Sequence, residues 1–255
     1  MMRNKRSKTL LAIDVGNTTV AIGIFTGKKL VRSLKIPTKK PADRRFYHAV
    51  FRKIVGANAP EAVIISSVVP ALTGILKTLF TDIFRVTPVI LGDTFAVPIR
   101  NLYRDPRQVG QDRLVNAFAG YHRYGGGLII VDFGTAITFD IVSRRGSYVG
   151  GIIVPGLMTS LNALSDRASL LPRIHLRRGR SLIGKNTVAS MNSGILNGFG
   201  ALCDGLIEKI HRKYPGYKVI FTGGDAALMA EFCHADRIDR DLTLRGLFLI
   251  YASLT

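Results

Sequence analysis

Apolar and β-branched residues dominate residues 9–15 and 18–25, a turn signal stands at Thr26-Gly27, and a third extended run covers 30–36. Short runs of this kind joined by tight turns predict an antiparallel three-strand meander. Pro37 and Pro41 close it, after which Phe46, Val50, Phe51 and Ile54 recur at helical spacing within 43–55, ending at Gly56. A strand is expected at 62–66, a helix from Pro70 to about residue 80 and a strand at 89–91. Strands alternating with helices after a meander indicate an α/β fold.

Residues 92–110 form a long connection holding Pro98, Asn101, Tyr103 and Pro106, with no period of its own. Loops of that length in a compact domain are usually functional. Helical spacing resumes over 111–122 through Leu114, Phe118 and Tyr121, and Gly125-Gly126-Gly127 ends it. The pattern then restarts. Extended runs at 128–132, 137–142 and 148–154, with a turn at Arg145-Gly146, predict a second meander. Helices are expected at 155–168 and 186–213, separated by a break at Leu171-Pro172 and a basic stretch through Arg180. A strand at 218–221 runs into Thr222-Gly223-Gly224-Asp225, then a helix to about residue 233 and a last apolar helix at 244–251.

The two halves share a local design. Ile13-Asp14-Val15-Gly16-Asn17-Thr18 and Val131-Asp132-Phe133-Gly134-Thr135-Ala136 each read as an apolar strand, Asp, an apolar residue, Gly, then Asn or Thr. Such repetition is an internal duplication of supersecondary structure. It predicts two related α/β domains facing each other, divided at 1–123 and 124–255.

Composition narrows the setting. With 255 residues and 47% hydrophobic content the chain can bury one large core or two smaller ones. Every apolar run is cut by Asp, Gly, Pro or a basic pair, so no membrane-spanning helix is expected. The basic start Met1-Met2-Arg3-Asn4-Lys5-Arg6-Ser7-Lys8 leads into an apolar stretch that meets Asp14 almost at once, so export is not expected. Cys203 and Cys233 are too few for a disulfide scaffold and lack metal-ligand spacing, which fits a reducing cytoplasm; Cys233-His234 has no second pair to complete a zinc site.

Thirty-six Lys and Arg against 17 Asp and Glu give a net charge of +19. The excess is scattered in pairs at Lys28-Lys29, Lys39-Lys40, Arg44-Arg45, Arg144-Arg145 and Arg177-Arg178, at expected turns and helix faces. A solvated basic surface that attracts anionic substrates explains this better than specific nucleic-acid recognition, which would concentrate charge on one element.

A strand ending in Asp-X-Gly-Asn/Thr places a carboxylate at the strand tip and lets the backbone approach a ligand closely, because Gly carries no Cβ. The following N–H groups and hydroxyls can hold phosphate oxygens. Two such turns in duplicated frames, with a Gly-Gly loop after a third strand, predict phosphate-sized turns converging on an ATP site. No Gly-x-x-x-x-Gly-Lys-Ser/Thr occurs, and Gly184-Lys185 is followed by Asn186, so a Walker loop is a poor alternative.

This arrangement resembles the actin, hexokinase and heat-shock ATPase superfamily, which implies two duplicated ribonuclease H-like domains, each a mixed sheet flanked by helices. The resemblance then narrows. Asp14-Val15-Gly16-Asn17-Thr18, Ser66-Ser67-Val68-Val69-Pro70, Gly110-Gln111-Asp112-Arg113 with Asn101 and Tyr103 before it, Asp132-Phe133-Gly134-Thr135-Ala136, Gly150-Gly151-Ile152-Ile153-Val154-Pro155-Gly156, Leu171-Pro172 and Gly184-Lys185-Asn186-Thr187 resemble the ordered motif series of the type III pantothenate kinases.

The resemblance implies transfer of the ATP γ-phosphoryl group to pantothenate, giving 4'-phosphopantothenate, the first step of coenzyme A synthesis. By position, Asp112 matches the general base. Asp14, Val15, Gly16, Asn17, Thr18, Thr19, Val20 and Ala21 match the first ATP-phosphate turn, with Asp14 near Mg2+ through phosphates or water. Gly134, Thr135, Gly223 and Gly224 match further ATP contacts, and Asp132 matches a site for a monovalent cation, potassium or ammonium. Tyr103, Gly110, Gln111, Asp112, Arg113 and Thr187 match substrate positions, where Arg113 supplies a fork for the carboxylate of pantothenate.

Family members are homodimers, and the helix over 192–210 serves either an interface or the monomer core. Ile137 departs from the Thr of many members, and the surface is more basic than the family norm. A kinase-like regulatory or nucleic-acid-associated protein of the same fold is the alternative; retention of Asp14, Asp112, Asp132 and Thr135 points to the enzyme. The Gly110 to Arg113 motif disfavours a sugar or acetate kinase.

Overall fold

The computed structural model describes residues 9–39, 41–56, 59–179 and 181–254. The N-terminal basic segment, Lys40 of the Lys39-Lys40 pair and Arg180 lie outside the described residues. The first half begins with strands β1 (Thr9–Val15), β2 (Thr19–Thr26) and β3 (Lys29–Pro37). Helix α1 (Arg44–Val55), strand β4 (Ala62–Ser67), helix α2 (Pro70–Asp82) and the short strand β5 (Val89–Ile90) follow. After the long connection comes helix α3 (Gln111–Tyr124). The second half holds β6 (Leu128–Phe133), β7 (Ala136–Val142), β8 (Tyr148–Pro155), α4 (Leu157–Arg167), α5 (Thr187–Lys213), β9 (Lys218–Gly223), α6 (Ala226–Met229) and β10 (Arg237–Ile238), and α7 (Leu242–Ala252) ends it.

The two five-stranded sheets have one topology, β3-β2-β1-β4-β5 and, read in the same direction, β8-β7-β6-β9-β10. In each, the meander strands pair antiparallel and the first strand then pairs parallel with the strand after the helical crossover. Even the irregularities repeat: a register shift falls between Ile24 and Phe25 in β2 and between Ile141 and Val142 in β7. The residues before these shifts, Ile24 and Ile141, pair with Leu11 and Ile129, each lying the same distance before its Asp. The duplication legible around the two Asp residues therefore extends through both sheets.

Local chemistry sets the elements. Asp43 caps α1, its Oδ1 accepting from the N–H groups of Arg45 and Phe46 at 2.9 and 3.1 Å, as a short acidic side chain at a helix start should. Gly56 ends the helix at φ 67°, a conformation that glycine adopts without penalty. Strand β4 is buried through its first five residues, as a parallel strand covered on both faces must be.

In the first half, Leu11, Ile13 and Val15 of β1 join Tyr47 and Phe51 of α1 and Leu72, Leu76, Leu79 and Phe80 of α2 in one core. In the second, Ile129, Val131 and Phe133 of β6 join Leu157 and Leu161 of α4, residues of α5 and Met229 of α6.

The chain divides into two compact units: one takes in the described residues up to Ile99, Asp105–Ala119 and those from Leu242 onward, the other Arg100–Arg104 and Gly120–Asp241. The expected division at 123/124 counts the last helix with the second half, whereas α7 packs on β1, β2 and β4. Phe248 stacks on Phe25 with ring centroids 4.8 Å apart, and a Cβ on Gly246 would meet Val115 and Ala119 of α3 at 2.7 to 2.9 Å. The helix expected to reach about residue 233 ends at Met229, with the chain turning at Ala230. The long connection carries a single 3-10 turn, Pro106–Gln108, capped by Asp105.

Candidate active site

The first unit assembles three strand and helix ends. At the tip of the β1–β2 hairpin, Gly16 donates its N–H to Thr19 O at 2.9 Å, leaving Asn17 and Thr18 exposed. Thr38 straps the tip, its hydroxyl donating to Gly16 O at 2.8 Å and its N–H to Thr18 O at 2.9 Å. Asp14 is half-buried, and its partner across the parallel pair is Ser66, whose side chain is fully buried. Ser66 Oγ has no hydrogen-bond partner among the described residues, an uncommon condition for a buried hydroxyl. Beyond Ser66, Ser67 Oγ accepts from Val69 N–H at 3.0 Å and turns the chain into α2.

Val68 connects this corner to α3. Its N–H donates to Val15 O at 3.0 Å, and its side chain lies 3.8 Å from where a Cβ on Gly110 would stand. That same Cβ would come within 2.4 Å of Asp112 Oδ1, so glycine at 110 is what lets the carboxylate fold back over the helix start. Gly110 O accepts from the N–H groups of Arg113 and Leu114 at 3.2 and 3.3 Å, and Asp112 Oδ1 accepts from Arg113 N–H at 2.9 Å.

Burial raises the Asp112 pKa above the ordinary carboxylate value; the Arg113 hydrogen bond and charge pull the other way without cancelling it. A carboxyl group tuned upward is better matched to accepting a proton near neutral pH. Arg113 itself is buried. Gln111 packs against Gly92, which adopts φ 84°, and Gln111 Oε1 is buried without a hydrogen-bond partner among the described residues.

The second unit builds a different corner. Asp132 pairs with Thr138 on β7 and Thr222 on β9. Gly223 follows at φ 96°, and a Cβ there would stand 2.4 Å from Asp132 Oδ1 and 2.5 Å from Phe133 O. The Gly223-Gly224 loop therefore lies directly against the Asp132 carboxylate, and only a residue without a side chain fits. Asp225 N–H donates to Phe133 O at 3.3 Å, tying the loop down.

On the other side, Gly156 donates its N–H to Thr135 O at 3.0 Å and the Thr159 hydroxyl donates to the same oxygen at 2.7 Å. The Gly134-Thr135 tip is exposed. Tyr103 belongs to this unit, its ring centroid 6.4 Å from that of Tyr148. Thr187 is exposed on the first turn of α5, where Asn186 Oδ1 accepts from Ala189 N–H at 2.9 Å.

The structure thus gathers Asp14, the hairpin tip, Gly110 and Asp112 in one unit and Asp132, Gly134, Thr135, Gly223 and Gly224 in the other. Ser66 and Gln111 gain weight from burial, which a motif does not display. Cys233 Sγ donates to Met229 O at 3.3 Å, and no group of three or more His, Cys, Asp or Glu stands together among the described residues.

The family model of the type III pantothenate kinases matches residues 10–209. A type III pantothenate kinase of Geobacter sulfurreducens is 43% identical over 249 residues, covering 95% of this chain and 98% of that one. One of Citrifermentans bemidjiense is 44% identical over 252 residues, again covering 95% and 98%. Among solved structures, MreB 5 of Spiroplasma citri bound to AMPPNP aligns with a TM-score of 0.51 at 12% identity over 97% of each chain. That likeness establishes the fold, two ribonuclease H-like halves of the actin-like ATPase kind, and the sequence matches establish the closer kinship: the chain belongs to the type III pantothenate kinase family.

Proposed function

We infer that this chain transfers the γ-phosphoryl group of ATP to the primary hydroxyl of pantothenate, with Asp112 as general base. The observation that carries the reading is the Asp112 carboxyl itself, partly buried at the start of α3, its pKa raised and its orientation fixed by Arg113 N–H. Phosphoryl transfer proceeds through a loose transition state, so the protein's work is positioning and charge neutralisation. As the hydroxyl oxygen bonds to phosphorus and the bond to the ADP oxygen breaks, the hydroxyl proton passes to Asp112.

Asp14 and the tip between β1 and β2 hold the phosphates, with Asn17 and Thr18 exposed there, while Val15 and Val20, buried in the hairpin, support the tip from the strands. The activity takes ATP with a divalent cation, and the residues fit one: a hard carboxylate at Asp14 beside the buried Ser66 hydroxyl suits magnesium held mainly through phosphate and water oxygens. That ion supplies neutralisation of phosphate charge. Asp132, half-buried at the end of β6 with the Gly223-Gly224 loop packed against its carboxylate, is the carboxylate that would serve a monovalent cation, potassium or ammonium, in this reading. Gly134, Thr135, Gly223 and Gly224 contact ATP in this reading.

Tyr103, Gly110, Gln111, Arg113 and Thr187 bind pantothenate. The buried Gln111 Oε1 is an acceptor suited to an amide or hydroxyl donor of that molecule, and Arg113 balances its carboxylate.

The working form in this reading is a cytoplasmic homodimer. Leu182, Ile183 and Val188 are 66%, 73% and 49% exposed, and Leu182 and Ile183 rim a cleft along α5 lined by Ser190, Gly194 and Asn197. No described helix is long and apolar enough to cross a membrane. The basic pairs Lys28-Lys29 and Arg144-Arg145 fall at hairpin turns and Arg44-Arg45 opens α1, so the regulatory, nucleic-acid-associated alternative is not favoured.

The test is ADP release by the purified chain with each substrate omitted in turn, with and without potassium or ammonium. Release that requires both ATP and pantothenate and rises with the cation supports the reading; ATP turnover indifferent to pantothenate refutes it.

A further inference from the structure

Asp140, on β7, is a carboxylate with 0% of its surface exposed. A buried carboxylate is costly unless hydrogen bonds replace its water, and here Asp140 Oδ1 accepts from the Tyr148 hydroxyl at 2.9 Å and Oδ2 from the Thr138 hydroxyl at 3.0 Å. Tyr148, equally buried, opens β8. Its backbone is also the attachment point of residues 100–104: Tyr148 N–H donates to Arg100 O at 2.8 Å, and Leu102 N–H donates to Tyr148 O at 2.9 Å.

Asn101 pairs with Tyr148 as an isolated parallel bridge, and Asn101 Oδ1 accepts from Tyr103 N–H at 3.0 Å. The Tyr103 ring then lies beside Gly150, 3.9 Å from where a Cβ would stand. Residues 100–104 form no helix or strand of their own, so these contacts help to fix where Tyr103 stands.

We propose that Asp140, acting through Tyr148, is a positioning residue for Tyr103 and thereby sets the affinity for pantothenate. This rests on the reading above that Tyr103 contacts pantothenate. The physical logic is that a side-chain clamp of the Tyr148 ring keeps its backbone N–H and C=O aligned with a segment that otherwise has only loop character. An apolar residue at 140 could fill the same volume, but it would leave the Tyr148 hydroxyl without its acceptor.

The test compares Tyr148→Phe, which removes one oxygen and keeps the ring, with Asp140→Asn and with Tyr103→Ala as the control. Amide hydrogen exchange across residues 100–104 is measured alongside steady-state kinetics. Tyr148→Phe and Asp140→Asn should each raise the KM for pantothenate by about fivefold or more, with the KM for ATP moving less than about twofold, and both should speed exchange at Leu102. Because Tyr148→Phe retains the packed ring, it keeps the test decisive if Asp140→Asn fails to fold.

A KM for pantothenate unchanged in Tyr148→Phe while Tyr103→Ala raises it would overturn the proposal and leave the Tyr103 reading standing. Equal increases in both KM values would also overturn it, as would unaltered exchange at Leu102. If Tyr103→Ala itself leaves the KM for pantothenate unchanged, the reading fails and the proposal fails with it.

Discussion

Asp14 and Asp132 stand at matching positions of two sheets with the same strand order, each beside a buried hydroxyl residue on its parallel neighbour, Ser66 and Thr222. The tips beyond them differ. Val15 pairs with Val20 and Phe133 with Ile137, so the first tip holds one residue more than the second. The longer tip presents exposed Asn17 and Thr18 and is strapped from behind by Thr38.

The shorter tip is pinned through Thr135 O by Gly156 and Thr159, and its carboxylate shares its space with Gly223 and Phe133 O. The duplicated frame thus supplies the strand, the carboxylate and the hydroxyl, while one residue of hairpin length and one glycine divide the labour. On the proposed reading the open tip takes phosphate oxygens and the Asp132 corner takes the monovalent cation.

If both hairpin carboxylates only hold charge, the largest loss must come from a residue outside them. Asp112→Asn should lower kcat by about 10²- to 10⁴-fold while the chain stays folded, since the amide fits the same volume; steady-state ADP release and a thermal melt check both. Next in size, Asp14→Asn should lower kcat by about 10²-fold with or without potassium. Asp132→Asn should instead lose most of the difference between rates measured with and without the cation. Identical potassium dependence in the two variants would erase the division of labour.

A third test uses pH. Burial raises the Asp112 pKa, so kcat/KM should fall as pH drops through that raised value, above the range of an ordinary carboxylate. The stability consequence has a definite sign. Between the unfolded and the raised folded pKa the native state binds more protons than the unfolded chain, so this group's contribution to stability declines as pH rises. Asp112→Asn removes that decline, which denaturation curves at several pH values would show.

Gly223→Ala sharpens the comparison at the closed corner. At φ 96° and with a Cβ 2.4 Å from Asp132 Oδ1, it should destabilise by about 1–3 kcal/mol. Gly134→Ala, whose Cβ would meet nothing closer than Ala136 O at 3.5 Å, should cost clearly less in the same denaturant titration. The smallest effect is expected far from either tip: Asp43→Ala removes the α1 cap and should cost about 1 kcal/mol without changing either KM.

Much of this was legible in the amino-acid order because it is local. The two meanders follow from β-branched runs and turn residues, and the two Asp-X-Gly turns identify themselves by repetition. What escaped was short or non-local. Strand β10 has two residues, too few for any period. The apolar spacing of Leu228 and Phe232 continues past the end of α6 because side-chain pattern cannot register the turn at Ala230.

Helix α7 has an apolar sequence that marks burial but not which sheet it covers; that is decided by Phe25 and by the notch at Gly246. The same limit applies to the candidate site. Asp112 and Asp132 could be named from motifs, whereas the Ser66 hydroxyl and the Asp140–Tyr148 link to residues 100–104 depend on contacts between distant parts of the chain.

The most direct test of the central claim is to incubate ATP and pantothenate with the wild-type chain and with Asp112→Asn, side by side, and identify the product by mass. The account predicts a phosphorylated pantothenate from the wild type and a rate lower by at least about 10²-fold from the variant. Phosphorylated pantothenate formed equally fast by Asp112→Asn would contradict the assignment of the base, and no phosphorylated pantothenate from a folded wild-type chain would contradict the account itself.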